Sequence, residues 1–321
     1  MTNRQQRMRH AGRIEKVDMC PVCGASDVAD TGRARPPREG SEGIGRFADS
    51  RIMRCGRCGL FYVEPRPRFS DEDCRWMYAG GYFVWRNAYW HRREAREIEQ
   101  RLRRLMELAP SAGTFLDVGC GGGAAIEAAA RAGLRPTGID VSDNRRPGLP
   151  AHEFLSGDLC SLARDGRLKG RYDLVYMNSV LEHLYDPPAH LRCAARLLAD
   201  GGCIFLGVPN EASLRSRFRR FLVKRLLPRG VSPGIMPLRR PYHLWGFTPE
   251  SMRLAVRSAG LSVADLRMRT GCFVFLRNPA FSRGFLLEAL TAPAAVTGAA
   301  MRDGYYLELY ARGPGGGQEP D

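Results

Sequence analysis

The chain has 321 residues, with 49 basic against 34 acidic side chains, a formal net charge of +15, 44% hydrophobic and 26% charged residues. That balance excludes wholesale disorder, and a chain of this length buries a core without disulfide staples. No apolar run reaches the ~18 residues a membrane-spanning helix needs, and the basic start lacks the apolar centre of a secretory signal, so a cytoplasmic protein is expected. Only Lys16, Lys169 and Lys224 are lysines. So uniform an arginine bias argues only weakly for a nucleic-acid partner. Without an export signal, the ten cysteines read as metal ligands plus scattered buried thiols rather than disulfides.

Residues 1–18 are charged and read as a disordered tail. Residues 19–69 form a cysteine-bearing module, interrupted by a Gly-, Pro- and charge-rich loop at 31–45. Residues 70–110 read as a helical connector. Its first part is rich in aromatics, and Trp76, Tyr78, Tyr82, Phe83 and Trp85 would pack against the module or wall the site. Its second part places Ile98, Leu102, Leu105 and Leu108 on one helical stripe over 91–108.

From Thr114 the pattern alternates. Strands are predicted at 114–118, 135–139, 152–155, 172–177 and 203–208, with helices at 122–132 and 189–199 between them. A helix at 248–259, with Thr248 as cap and Pro249 first, precedes strands at 261–268 and 305–311. Strands and helices at this spacing predict an α/β, doubly wound sheet of seven strands over residues 111–312, the last strand an antiparallel edge. Residues 211–247 are a basic, lid-like insert, and 313–321 a low-complexity, disordered tail.

Two C-x-x-C-G turns, Cys20/Cys23 and Cys55/Cys58, stand 31 residues apart. A two-residue spacer lets both thiolates of each turn face one tetrahedral ion, and the following glycine permits the tight turn. A structural Zn2+ is therefore expected on Cys20, Cys23, Cys55 and Cys58. Cys74, Cys120, Cys160, Cys193, Cys203 and Cys272 lack such pairing and read as bland.

Asp117, Gly119, Gly121 and Gly123 leave the first predicted strand and enter a helix. Glycines there let the backbone approach a ligand closely, and the helix N-terminus supplies N–H donors. With Ala124 and Asp140 the run also fits a dinucleotide fingerprint, so the glycines alone leave both readings open. Context separates them. The run resembles motif I of class I S-adenosylmethionine (SAM)-dependent methyltransferases, acidic-x-G-x-G-x-G. Asp140 resembles the acid that holds the ribose hydroxyls. Asp158 and Leu159 resemble the turn that meets adenine. The strand ending at Asn178, followed by Val180-Leu-Glu182-His183, resembles the fourth strand and its loop, and Asn178 is placed in the cofactor cleft. His243-Leu-Trp-Gly-Phe-Thr resembles a segment of small-molecule methyltransferases. The cysteine turns before Gly59-Leu-Phe-Tyr-Val-Glu-Pro resemble a bacterial subgroup with a zinc-ribbon head.

The resemblance implies a Rossmann-like methyltransferase that binds SAM and methylates a small-molecule acceptor. Oxygen of a sugar, sugar-nucleotide or lipid-linked metabolite is the expected target. His183 and His243 are the candidate bases on the ligand-binding rim; each has an alternative role in fixing its loop. Glu182 would contact the cofactor or tie down the loop. The helix predicted at 214–227 carries Leu214, Phe218, Phe221, Leu222 and Leu226 among six cations. It reads as a lid with solvated arginines, or as a contact to an anionic membrane surface or phosphates at the inner face of the membrane. An RNA methyltransferase is the nearest alternative, disfavoured because Asn178-Ser-Val-Leu departs from the Asn/Asp-Pro-Pro-aromatic signature. A zinc-ribbon binding protein with a non-catalytic fold and an NAD-dependent oxidoreductase follow.

Overall fold

A computed structural model describes residues 19–36, 49–78, 88–168, 170–238, 242–270 and 281–313. The tail expected at 1–18, the tail expected at 313–321 apart from the buried Gly313, much of the 31–45 loop, Cys272, and Tyr82, Phe83 and Trp85 lie outside the described residues, as does the side chain of Trp76.

The main sheet has seven strands: β4 (Thr114–Val118), β5 (Arg135–Asp140), β6 (Glu153–Ser156), β7 (Tyr172–Asn178), β8 (Leu198–Pro209), β10 (Ser262–Arg269) and β11 (Tyr306–Arg312). Their order is β10-β11-β8-β7-β4-β5-β6. Every strand is parallel to the others except β11, which is antiparallel to both neighbours. The late strand is thus antiparallel as expected, but it is not the edge. Leu307, Leu309, Tyr310 and Ala311 are buried, whereas β10 is only half-buried, so the more apolar strand takes the interior and β10 the border.

Alternate residues of each strand face opposite layers. Phe115, Leu174, Tyr176 and Phe205 pack on α2 (Ala88–Leu108) and α3 (Ala124–Arg131), with the predicted Ile98, Leu102 and Leu105 in that layer. Leu116, Val175, Ile204 and Leu206 face α4 (Leu159–Arg164), α5 (Pro187–Leu197) and α7 (Pro249–Ser258). Helix α5 starts two residues before its predicted position, because Asp186 caps it by accepting from the Ala189 N–H and two prolines follow. Helix α7 has the predicted Thr248 cap, made reciprocal by Ser251. Asp173 is structural: its Oδ2 accepts from the N–H groups of Gly113 and Thr114 and from the Thr114 hydroxyl. The short α1 (Asp71–Met77) and α4 were not expected. Nor was α8 (Arg283–Ala300), where apolar residues lie on nearly every side and leave no periodic stripe to read.

The cysteine-bearing head is an antiparallel sheet of β1 (Val28–Arg33), β2 (Arg51–Cys55) and β3 (Phe61–Glu64). Residues 31–33, expected in the loop, belong to β1 because they pair with β2 and with the insert: the Arg33 N–H donates to Gly230 and the Ser232 N–H to Arg33. The insert also supplies the fourth strand, β9 (Trp245–Gly246), which pairs with β3. Thr248 adds a hydrogen bond of 2.7 Å to the carbonyl of Cys58. Head and insert therefore share one sheet.

Two cysteines read as bland are joined: Cys160 on α4 and Cys193 on α5 form a disulfide, with Cα atoms 5.6 Å apart. The expectation of no disulfides is corrected here. The partners are far apart in sequence, and only the packing of α4 on α5 brings them together.

Candidate active site

The site lies where the parallel strands end. After β4 the chain takes left-handed turns at Gly119 (φ 71°), Gly121 (φ 49°) and Gly123 (φ 80°). A Cβ at Gly119 would stand 2.7 Å from Val180, and one at Gly123 2.3 Å from Leu149, so the cradle admits no side chain at either position. Asp140, ending β5, holds the cradle: its Oδ2 accepts from the Gly121 N–H at 2.8 Å and its Oδ1 from the Ser142 N–H at 3.1 Å. Burial still raises its pKa. Asp117, beneath the glycines and 3% exposed, is pushed up to about 8 by burial and then by the charge of Asp140.

Asp158 caps α4 by accepting from the Ser161 N–H, and its other oxygen meets His190 Nε2 at 2.5 Å. Burial opposes its ionisation most strongly, but the hydrogen bond and charge of His190 and the hydrogen bonds from Ser161 together outweigh it and hold the carboxyl at about 2. Leu159 turns its side chain into the core at 2% exposure, which leaves its backbone facing the turn. Asn178 Oδ1 accepts from Arg101 at 3.2 Å and from the Tyr306 hydroxyl at 2.8 Å, and that hydroxyl also meets Ser179 Oγ at 2.8 Å. Ser179 adopts φ 57°, a left-handed conformation uncommon for a residue with a Cβ.

A single 3-10 turn, Leu181–His183, follows β7. It carries Glu182, 1% exposed, whose two carboxylate oxygens have no hydrogen-bond partner among the described residues. Glu182 Oε1 stands 3.9 Å from Nε2 of His183 and 3.9 Å from Nε2 of His243. The two imidazoles meet edge to face with centroids 4.9 Å apart. His183 Nδ1 lies 3.3 Å from the Tyr78 hydroxyl. Burial pushes Glu182 up to about 8. Burial, then His183, holds His243 well below the ordinary imidazole range, so at neutral pH it is an uncharged proton acceptor. The two predicted histidines are thus neighbours, although 60 positions separate them in the chain. A backbone bond from Leu244 to the Glu182 carbonyl (2.8 Å) and the pairing of β9 with β3 bring His243 there.

The comparisons with known proteins agree with this geometry. The family profile described as "Methyltransferase domain" matches residues 89–266, more than half of the chain. The chain belongs to this methyltransferase family. It is a class I SAM-dependent methyltransferase, with the glycine cradle, Asp140, Glu182, His183 and His243 inside the matched region. A ubiquinone biosynthesis O-methyltransferase of Ralstonia nicotianae is 33% identical over 177 residues, covering 52% of this chain and 71% of that protein. One of the same name from Pseudomonas paraeruginosa is 32% identical over 176 residues, covering 52% and 72%. A SAM-dependent methyltransferase structure from Archaeoglobus fulgidus aligns with a TM-score of 0.47 at 16% identity, covering 68% of this chain and 94% of that one.

Beside the methyltransferase rim, the head gathers its four cysteines. Cys20 Sγ and Cys58 Sγ are 3.6 Å apart, Cys23 Sγ and Cys55 Sγ 3.5 Å, and all four sulfurs lie within 4.8 Å of one another. A tetrahedron of sulfurs on Zn–S bonds of about 2.3 Å has edges of about 3.8 Å, so the four thiols fit one ion. Gly24 and Gly59 complete the two turns at positive φ, each donating to the carbonyl of the first cysteine of its pair.

The basic helix α6 (Leu214–Leu226) does not lay the predicted stripe over the cleft. Phe218, Phe221 and Leu226 face out, and Arg215 and Val223 are the buried residues instead. Arg215 turns in because Glu288 of α8 pairs with it, and Arg220 because Glu211 does. Tyr78, expected to pack against the module or wall the site, meets His183; Arg101, Tyr306 and His190 escaped sequence reasoning. Each comes from a different element, and no local spacing marks it.

Proposed function

We propose that the protein methylates an oxygen of a small-molecule acceptor held against the carboxyl end of β7. The observation that carries this reading is the cluster of Glu182, His183 and His243 beside the glycine cradle. The names of the relatives, O-methyltransferases, support oxygen as the acceptor atom. The acceptor is a hydroxyl-bearing sugar, sugar-nucleotide or lipid-linked molecule.

The cradle at Gly119, Gly121 and Gly123 fits a ligand that needs close backbone approach, and Asp140 retains lone pairs for two ribose hydroxyls. Asp117 lies beneath the cradle, Asp158 and the backbone of Leu159 border the adenine end, and Asn178 faces the cleft from β7. The rim holds three acids whose pKa values burial raises, Asp117, Asp140 and Glu182. Such a rim favours a ligand of positive charge. Bound SAM supplies a methyl on a sulfonium, a leaving group already activated, so the protein's task is alignment and exclusion of water. His243, or His183 beside it, accepts the hydroxyl proton at Nε2 as the acceptor oxygen gains the methyl. The new imidazolium lies 3.9 Å from Glu182 and favours its ionisation against the burial that opposes it.

The four cysteines hold a structural zinc in this reading. Its work is architectural: the folded head presents β3, β3 pairs with β9, and β9 fixes the segment that carries His243. The test is incubation of the protein with methyl-labelled SAM and a panel of hydroxyl-bearing metabolites, followed by product mass and position. Label on nitrogen or carbon only, or in RNA only, would refute the proposal.

A further inference from the structure

We propose that α6 and α8 form a platform that seats the methyltransferase on the surface of an anionic lipid bilayer. Of the ten large hydrophobic residues exposed among the described residues, eight lie on these two helices or the turns beside α8. On α6 they include Phe221 at 53% and Leu226 at 80% exposure; on α8, Leu290 at 63%, with Leu286 and Val296 on the same side. A surface so concentrated marks a binding face rather than scattered exposure.

The helices are held as one layer. Arg215 of α6 pairs with Glu288 of α8, and Arg219 stands 3.7 Å from the same carboxylate. The Leu214 N–H donates to Asp303, in the turn after α8, at 2.8 Å. Thr291 and Ala295 of α8 are buried. The outward sides are therefore fixed by the inward ones.

Charge decides the occupant. Arg217, Lys224 and Arg225 are exposed on α6 at helical spacing with Phe221. The Arg225 guanidinium lies over the Phe221 ring, 3.6 Å from its centroid, so cation and apolar group share one outward surface. No acid occurs between Leu214 and Arg240, and the single acid of α8 is the inward Glu288. Exposed apolar groups interleaved with cations, and no outward carboxylate, match the boundary of acyl chains and anionic headgroups. A second copy of the face would oppose cation to cation. Neither helix is long and apolar enough to cross a membrane, so the contact is with the surface. Helix α6 begins five residues after β8 ends at the ligand-binding rim, so the platform adjoins that rim in the chain.

The experiment is co-sedimentation of the full chain with vesicles of phosphatidylcholine alone and of phosphatidylcholine with phosphatidylglycerol, at low and high salt. Light scattering of the free protein is measured alongside. Binding to the anionic vesicles only, weakened by salt, is expected. Arg217→Gln with Lys224→Gln and Arg225→Gln should weaken it about a hundredfold, since each cation near such a surface contributes about fivefold. Phe221→Ser with Leu290→Ser should weaken it as well, and both variants should keep the SAM affinity of the parent, which checks their folding. Absent binding, equal binding to neutral vesicles, or variants that bind like the parent would overturn the proposal. So would an oligomer that Phe221→Ser with Leu290→Ser dissociates while vesicle binding is absent, because the face would then be a contact between copies.

Discussion

Glu182 offers the sharpest quantitative test. Its carboxyl titrates near 4.5 in an unfolded chain and at about 8 in the SAM-free fold, because burial disfavours the charged form. Between those values the folded state holds a proton that the unfolded state has lost. Stability from this group is therefore fully present at low pH and is lost as pH rises through the window. Each unit costs about 1.4 kcal/mol, which gives about 3 kcal/mol by pH 7 and about 5 kcal/mol above pH 8. At 1% exposure, solvent screening does little to reduce this. Glu182→Gln keeps the shape and removes the ionisation. Urea denaturation of both proteins across this range should give matching stabilities near pH 4.5, and a variant more stable by about 3 kcal/mol at pH 7. Asp117 titrates in the same sense and is present in both proteins, so the difference between them is the quantity to read. A difference that does not change with pH would refute the reasoning. The variant should also lose turnover, which would mean that the carboxylate is retained for chemistry at the expense of stability.

Other outcomes follow from the same geometry. Asp140→Ala should weaken SAM binding by about ten- to a hundredfold, the weight of a lost charged hydrogen-bond acceptor, measured by calorimetry; unchanged affinity would contradict the ribose assignment. Gly123→Ala puts a Cβ 2.3 Å from Leu149 at φ 80° and should cost about 1–3 kcal/mol in thermal unfolding while weakening SAM binding. His243→Ala and His183→Ala should lower kcat with little change in SAM affinity, and the deeper loss identifies the base; if neither alters the pH–rate profile, both assignments fail. Cys55→Ser should release zinc, seen by metal analysis, and lower turnover more than SAM binding, since the strand that the head pairs fixes the segment carrying His243; full metal occupancy in the variant would contradict the four-thiolate site.

The sheet was legible because parallel strands buried on both faces are short apolar runs, and the helices between them repeat at helical spacing. Where composition is uniform the signal fails. Helix α8 is apolar on most sides and shows no stripe. The interior position of β11 depends on competition with β10 for burial, which neither strand reveals alone. The cradle was legible because its glycines and acids sit on adjacent strand ends, so their placement follows from local order. His183 and His243 were each visible as rim residues, but their contact depends on β9 pairing with β3, and a two-residue strand leaves no periodicity. The Asp158–His190 pair and the Cys160–Cys193 bond likewise exist only because α4 packs on α5. The stripe of α6 misled because apolar spacing shows amphipathicity without saying which side turns inward; the Arg215–Glu288 and Arg220–Glu211 pairs settle that.

The shared sheet of head and insert limits modularity. A chain cut after residue 69 would leave β3 with a bare edge, ready to pair with another copy, and a chain begun at residue 70 would strand Trp245 and Gly246 without a partner. Grafting this head onto another enzyme would require moving two stretches of sequence about 180 residues apart, so the two stretches must be inherited and altered together.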